Sequence, residues 1–277
     1  ILSEIHKSKT KYCSYLDESH NQFDLILPNI ERINIRTVAQ AKRNRADRVA
    51  RNNYEETYMS GNTSVKQAEF LIDWKKVPKT DLIFRIMTFD HVPLQPGRKK
   101  TPKTVADHHT QCNFPPFQHW KFDENNELIC VGKSHWEGGL QNGNFSKTHG
   151  GMTDKLAMMF IKLVERYASR SNWRGYTYND EMQGAGLLQL SRIGLQFDES
   201  KSDNPFAYYT AAVTNSFTRV LNLEKKGQRI RDDILEHNGL NPSYTRQSEN
   251  QDKMKALADL DKLTPPKVTT IEVKQKK

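Results

Sequence analysis

The chain has little cysteine and no long apolar run, and both shortages narrow its setting. Its three cysteines, Cys13, Cys112 and Cys130, are an odd and scattered set. They exclude a disulfide framework and fit a reducing compartment. No stretch approaches the roughly 20 apolar residues that a membrane-spanning helix needs. The opening Ile1-Leu2-Ser3-Glu4-Ile5-His6-Lys7 lacks the apolar core of a secretory signal. These features predict a soluble, intracellular protein with no membrane partner. A glycine-rich phosphate loop, a nucleophile elbow and a paired carboxylate site are absent too, so the commoner catalytic classes have no signature here. No internal repeat is present.

What the sequence does have is positive charge. Lys and Arg number 42 against 33 Asp and Glu, for a net charge of +9 and a pI near 9.3. Such an excess favours a polyanionic partner, whose condensed counterions are released on binding. The mean hydropathy of -0.80 leaves apolar material for one or two modest cores.

Two regions of different character follow along the chain. Thr37 reads as the N-cap of a helix from Val38 to about Tyr58, which carries Lys42, Arg43, Arg45, Arg48 and Arg51. Asp81 to Phe89 reads as a buried strand. Pro93 to Lys103 reads as an exposed loop with Arg98, Lys99 and Lys100. A hairpin is expected from His119 to Val131 around Asp123-Glu124-Asn125-Asn126. The Gly-, Asn- and Ser-rich stretch from 138 to 151 marks a domain boundary.

After that boundary the period changes to 3.6. Leu156, Met159, Phe160, Leu163, Val164 and Tyr167 form a helical stripe capped by Thr153. A second helix is expected from about Asn179 to Gly194. A third runs from Phe206 to about Leu235, opened by Asn204-Pro205. The expected class is mainly α, with a mixed α+β N-terminal module over residues 1–150, a helical domain over 151–240 and a polar, flexible tail over 241–277.

The third helix carries aromatics near its start and cations near its end. That combination suits a protein that opens a duplex, because aromatic faces stack on extruded bases and cations hold phosphates. Its residues Asn204, Pro205, Ala207, Tyr208, Thr210, Ala212, Asn215 and Phe217 stand in the pattern Asn-Pro-x-Ala-Tyr-x-Thr-x-Ala-x-x-Asn-x-Phe. With Met152 to Gly175, Glu181 to Lys201 and the basic run from Lys225, this order resembles region 2 of the bacterial sigma-factor family. Within that family the likeness is to the late-transcription sigma factors of T-even-type tailed phages, including cyanophage relatives. It covers under a third of the chain.

The resemblance implies a sigma-like helical domain and a non-enzymatic role in the cytoplasm of an infected bacterium. The host core RNA polymerase would be bound through the clamp helices of its largest subunit, by Glu181, Leu187, Leu188 and Leu190. The A·T-rich −10 element of late promoters would be opened by Tyr208 and Tyr209, with Asn215 and Arg219 facing DNA. Lys225, Lys226, Arg229 and Arg231 would hold phosphate. A phage sliding clamp and a late co-activator are further implied partners. No cofactor or metal is expected.

The chain departs from the pattern in three places. Ala211 and Ala212 stand where most family members have tryptophans. Gly184 and Ala185 stand where they have a Gln-Glu pair. No Phe or Tyr follows Tyr244, so the acidic, aromatic clamp-binding peptide of the late factors has no counterpart.

Two other function classes compete. Asp107, His108, His109, Cys112, His119, Cys130 and His135 include zinc-ligating residue types without a paired Cys-x-x-Cys signature. Asp107-His108, Asn113 and His119 loosely follow the order of a His-metal nuclease. A non-catalytic architectural DNA-binding protein would share the charge but not the ordered helical motifs.

Overall fold

The computed structural model describes residues 1–61, 64–93 and 112–263. Arg98, Lys99, Lys100, Asp107, His108 and His109 lie outside the described residues, as does the chain beyond 263.

A five-stranded mixed sheet organises the N-terminal part. Its strands are β1 (Cys13–Tyr15), β2 (Leu25–Leu27), β3 (Ile83–Met87), β4 (Phe117–Phe122) and β5 (Leu128–Ser134), in the order β1-β5-β4-β3-β2. β2 and β3 are parallel, and every other pairing is antiparallel. A parallel pair needs a crossover, and α2 (Ile35–Met59) provides it. Asn34 caps this helix by accepting from the amides of Arg36 and Thr37, while the Thr37 hydroxyl accepts from the Asn34 amide. Thr37 is therefore the return half of a capping box rather than the cap, and the helix starts earlier than its sequence suggests.

Small side chains let α2 lie close to the sheet. Ala41 and Ala46 pack with Leu27, Leu82, Phe84 and Ile86 in one buried cluster. The alternation of a strand sends Phe84 and Ile86 to that face and Arg85, between them, to the other. The expected strand and hairpin are both present, the latter as β4 and β5 around Asp123, whose carboxylate accepts from the amides of Asn125 and Glu127. A two-stranded ribbon, β6 (Trp136–Glu137) and β7 (Asn144–Phe145), completes the β structure among the described residues.

The helices are α1 (Leu2–Thr10), α3 (Asp154–Ala168), α4 (Asn179–Ile193), α5 (Pro205–His237) and α6 (Tyr244–Leu263). Thr153 caps α3 as expected, its hydroxyl accepting from the Leu156 amide. The periodic stripe buries Leu156, Phe160, Val164 and Tyr167, and they join Met182 and Leu190 of α4 and Tyr209, Val213 and Phe217 of α5 in a second set of buried residues. Gly186 makes this packing possible, because a Cβ there would lie 3.1 Å from the Phe217 ring and 3.5 Å from Val164. At the level of class, the chain is mainly α with a mixed sheet near its N-terminus. No helix among the described residues is long and apolar enough to cross a membrane.

Two features differ from the sequence reading. The chain divides into compact units at Ile1–Phe217 and Thr218–Lys277, rather than near 150. The Gly-rich stretch is no hinge because α1 is bonded across it. The Thr153 amide donates to Ser8, Lys155 pairs with Glu4, and Tyr12 fills the space that a Cβ on Gly150 would need. The tail is the second difference, since Tyr244–Leu263 form α6 where flexibility is expected. Ser243 starts it, its carbonyl accepting from the Gln247 amide, and Arg246 ties its first turn to Asp233 and Glu236.

Candidate nucleic-acid interface

The start of α5 sets which side chains face outward. The Asn204 carboxamide oxygen accepts from the Ala207 amide at 3.2 Å, and Pro205 occupies the first helical position, where its missing N–H costs nothing. That register turns Tyr209, Val213 and Phe217 inward, four residues apart. Ala207, Ala211 and Asn215, on the same spacing, are exposed. A row of small side chains ending in an amide leaves a helix surface that a phosphate backbone or base edge can approach closely.

The two tyrosines proposed to stack on bases therefore part company. Tyr208 is half-buried, with its ring 5.6 Å from that of Phe197, and burial raises its phenol pKa. Tyr209 has no solvent exposure. Its ring meets Phe160 edge-on at 4.8 Å, and its hydroxyl donates to the Gly194 carbonyl. Burial, then Tyr208 and Glu199, push its pKa far up. Tyr209 is a core residue and cannot receive a base without unpacking the helices. Phe206, not singled out by the sequence reading, is 51% exposed at the first turn. The signal for it was Asn204-Pro205, which fixes the helical register.

The second compact unit carries its own cations. Arg219, Lys225, Lys226, Arg229 and Arg231 are all exposed, and none makes an ion pair among the described residues. Three of the four acids of α5 in this unit are engaged otherwise. Asp232 is buried and accepts from the Ser243 amide and hydroxyl at 2.8 Å each. Asp233 and Glu236 are held by Arg246. Intra-unit pairing thus leaves the basic run unneutralised.

On α4, Glu181 is exposed, Leu187 is half-buried and Leu188 is 62% exposed. Leu190 is fully buried. It belongs to the helical core and offers nothing to a partner, which corrects its assignment to a docking face. The alternation around the helix explains why three near-consecutive leucines have three different fates.

The basic helix α2 is less available than its composition suggests. Arg45 and Arg48 both pair with Asp24, whose side chain is fully buried. Arg45 also donates to the Asp81 carbonyl at 2.6 Å. Arg43 lies over the Trp74 ring at 4.8 Å. Two of the three arginines thus hold the crossover to the sheet.

The histidines and cysteines form no group of three or more that could hold a metal among the described residues. His119 shows why. Its Nε2 accepts from Arg85 Nε at 3.1 Å, and its Nδ1 bonds the His20 carbonyl at 2.7 Å. With both ring nitrogens committed and no exposure, it can be neither a zinc ligand nor a nuclease base. Burial, then Arg85, holds its pKa well below the usual range. His135 is likewise buried, 4.1 Å from the Phe114 ring, its pKa lowered to about 3 chiefly by burial. Cys112 is buried and Cys130 half-buried, both with thiol pKa values raised by burial.

No protein-family model, no curated protein and no solved structure matches this chain.

Proposed function

We propose that the chain is a late-transcription sigma factor of the T-even phage type. In this reading it binds the host core RNA polymerase through α4 and directs opening of an A·T-rich −10 element through α5. It supplies promoter specificity and the polymerase supplies the chemistry. The observation that carries the reading is the coincidence of an ordered motif series with three consecutive helices, α3, α4 and α5. The side chains available for the two tasks are more restricted than the motifs alone imply. On α4 they are Glu181, Leu187 and Leu188. On α5 they are Tyr208 and Asn215 in the first unit, and the free cations Arg219, Lys225, Lys226, Arg229 and Arg231 in the second.

The energetics suit this division of labour. A·T pairs are the cheapest to open, so one aromatic face need supply only a few kcal/mol per flipped base. With alanines at 211 and 212, the chain melts DNA only in partnership with polymerase. Cations on phosphate contribute a sequence-independent, salt-dependent share of binding.

Core-dependent footprinting tests the proposal. The protein alone should protect no promoter, and the protein with core polymerase should protect the −10 region of a TATAAATA-type template. Equal protection of any duplex without polymerase would instead favour an architectural DNA-binding role.

A further inference from the structure

The loop between α4 and α5 is gripped from the opposite end of the chain. Lys9, on α1, has no solvent exposure. Its ammonium donates to both carboxylate oxygens of Glu199 and to the Phe197 carbonyl, all at 2.7 Å. Three bonds use the full donor capacity of a lysine. Glu199 is buried too, and His6 approaches it at 3.6 Å from the same helix. Burial lowers the Lys9 pKa to about 8, while Glu199 opposes that fall.

Arg85 closes the cluster from the sheet. It is fully buried, with its guanidinium 3.8 Å from the Phe23 ring and 3.9 Å from the Phe117 ring. It also meets His119 at 3.1 Å and His6 at 3.3 Å. α1 thus holds the carboxylate of the α4–α5 loop directly, and the sheet reaches it through His6, which meets Arg85 on one side and Glu199 on the other. That loop is short and leads directly to the promoter-facing helix. Phe197, whose carbonyl Lys9 holds, packs its ring on both Tyr208 and Tyr209. A charged pair removed from water contributes little net stability compared with apolar residues of the same shape. What it does provide is a fixed geometry, because three donor directions and three acceptor oxygens permit one arrangement.

We propose that Lys9 and Glu199 are positioning residues: α1 braces the α4–α5 loop through them and so fixes the orientation of Tyr208 and the first turns of α5. The brace is a statement about the fold, while its consequence for promoter opening rests on the sigma reading above. It gives α1 a role that the chain's surface charge does not.

The test uses full-length protein carrying Glu199→Gln, Lys9→Met, or both. The single changes strand a buried charge or leave a carboxylate unpaired, and they destabilise the protein. The double change removes both charges together and keeps the fold, which the amides of α2 report by exchanging as in the parent. In the double variant, amide hydrogen exchange over residues 206–212 should rise about tenfold or more, the change expected when a charge-assisted bond is removed. Core-polymerase binding should persist while open-complex formation falls. Parent-like exchange over 206–212 in the folded double variant would overturn the brace. If the parent protein supports no initiation at all, the sigma reading fails by itself, and the exchange measurement still decides the brace.

Discussion

Tyr208 and Tyr209 are neighbours whose rings meet edge-on at 5.3 Å, yet one is half-exposed and the other is sealed in the helical core. A single step along α5 separates a residue that can meet a nucleic acid from one that holds α5 to its neighbours. On the proposed reading the pair divides promoter opening from stability, and substitutions should separate the two.

Tyr208→Ala should leave the fold and polymerase binding intact and lower the yield of open complexes. Tyr209→Ala should instead destabilise the protein by roughly 3–5 kcal/mol, as large-to-small changes in a core do. Tyr209→Phe should cost about 1 kcal/mol, the share of its bond to the Gly194 carbonyl. Urea melts, set beside permanganate footprints of the melted region, check the contrast. Equal loss of stability in both alanine variants would contradict it.

The stripe in α3, the Thr153 cap and the Asn204-Pro205 start were all legible, because period and capping chemistry are local. The burial of Tyr209 is legible too, through its spacing to Val213 and Phe217. The polar brace was not legible. The buried residues of α1 include Glu4, Ser8 and Lys9, which read as solvated until Glu199, far along the chain, supplies the partner of Lys9. Arg85 likewise sits in an otherwise apolar strand, and only Phe23, Phe117, His6 and His119 explain it. The helix α6 is not legible, because its charges surround it and no apolar face announces it.

Asp24→Ala should be far more damaging than the removal of any exposed cation. Asp24 accepts from the Ile83 amide at 2.9 Å and pairs with Arg45 and Arg48. Breaking a buried charged network of this kind costs about 3–5 kcal/mol. Thermal melts of Asp24→Ala against Arg51→Ala, an exposed change on the same helix, measure the difference. Similar melting temperatures would show that the crossover does not depend on this network.

Stability should fall on mild acidification. His6 and His91 titrate near 4 and His135 near 3 in the folded chain, each lowered chiefly by burial. Unfolded histidine titrates near 6.5. Between those values the unfolded state binds more protons, so stability is full above about 6.5 and declines as pH drops toward 4. The slope approaches about 1.4 kcal/mol per pH unit for each histidine involved. Glu199, also lowered from the usual carboxylate range, acts in the same direction below that window. Denaturant titrations at pH 7.5, 6 and 5 would show the trend, and a flat profile would refute it.

Lys225→Ala with Lys226→Ala should weaken promoter binding evenly across sequences. The slope of log affinity against log salt should flatten by about 2, one unit for each phosphate no longer neutralised. Fluorescence anisotropy of promoter DNA with the protein and core polymerase, over a salt series, reads this directly. A change confined to one sequence would mean that these lysines read bases rather than hold backbone.

Run-off transcription tests the central claim most directly. Bacterial core polymerase is supplied with a TATAAATA-type template, with and without this protein. The account predicts specific transcripts only when the protein is present, diminished by Tyr208→Ala and by the Lys225/Lys226 double change. Core polymerase that neither binds the protein nor initiates with it would contradict the account.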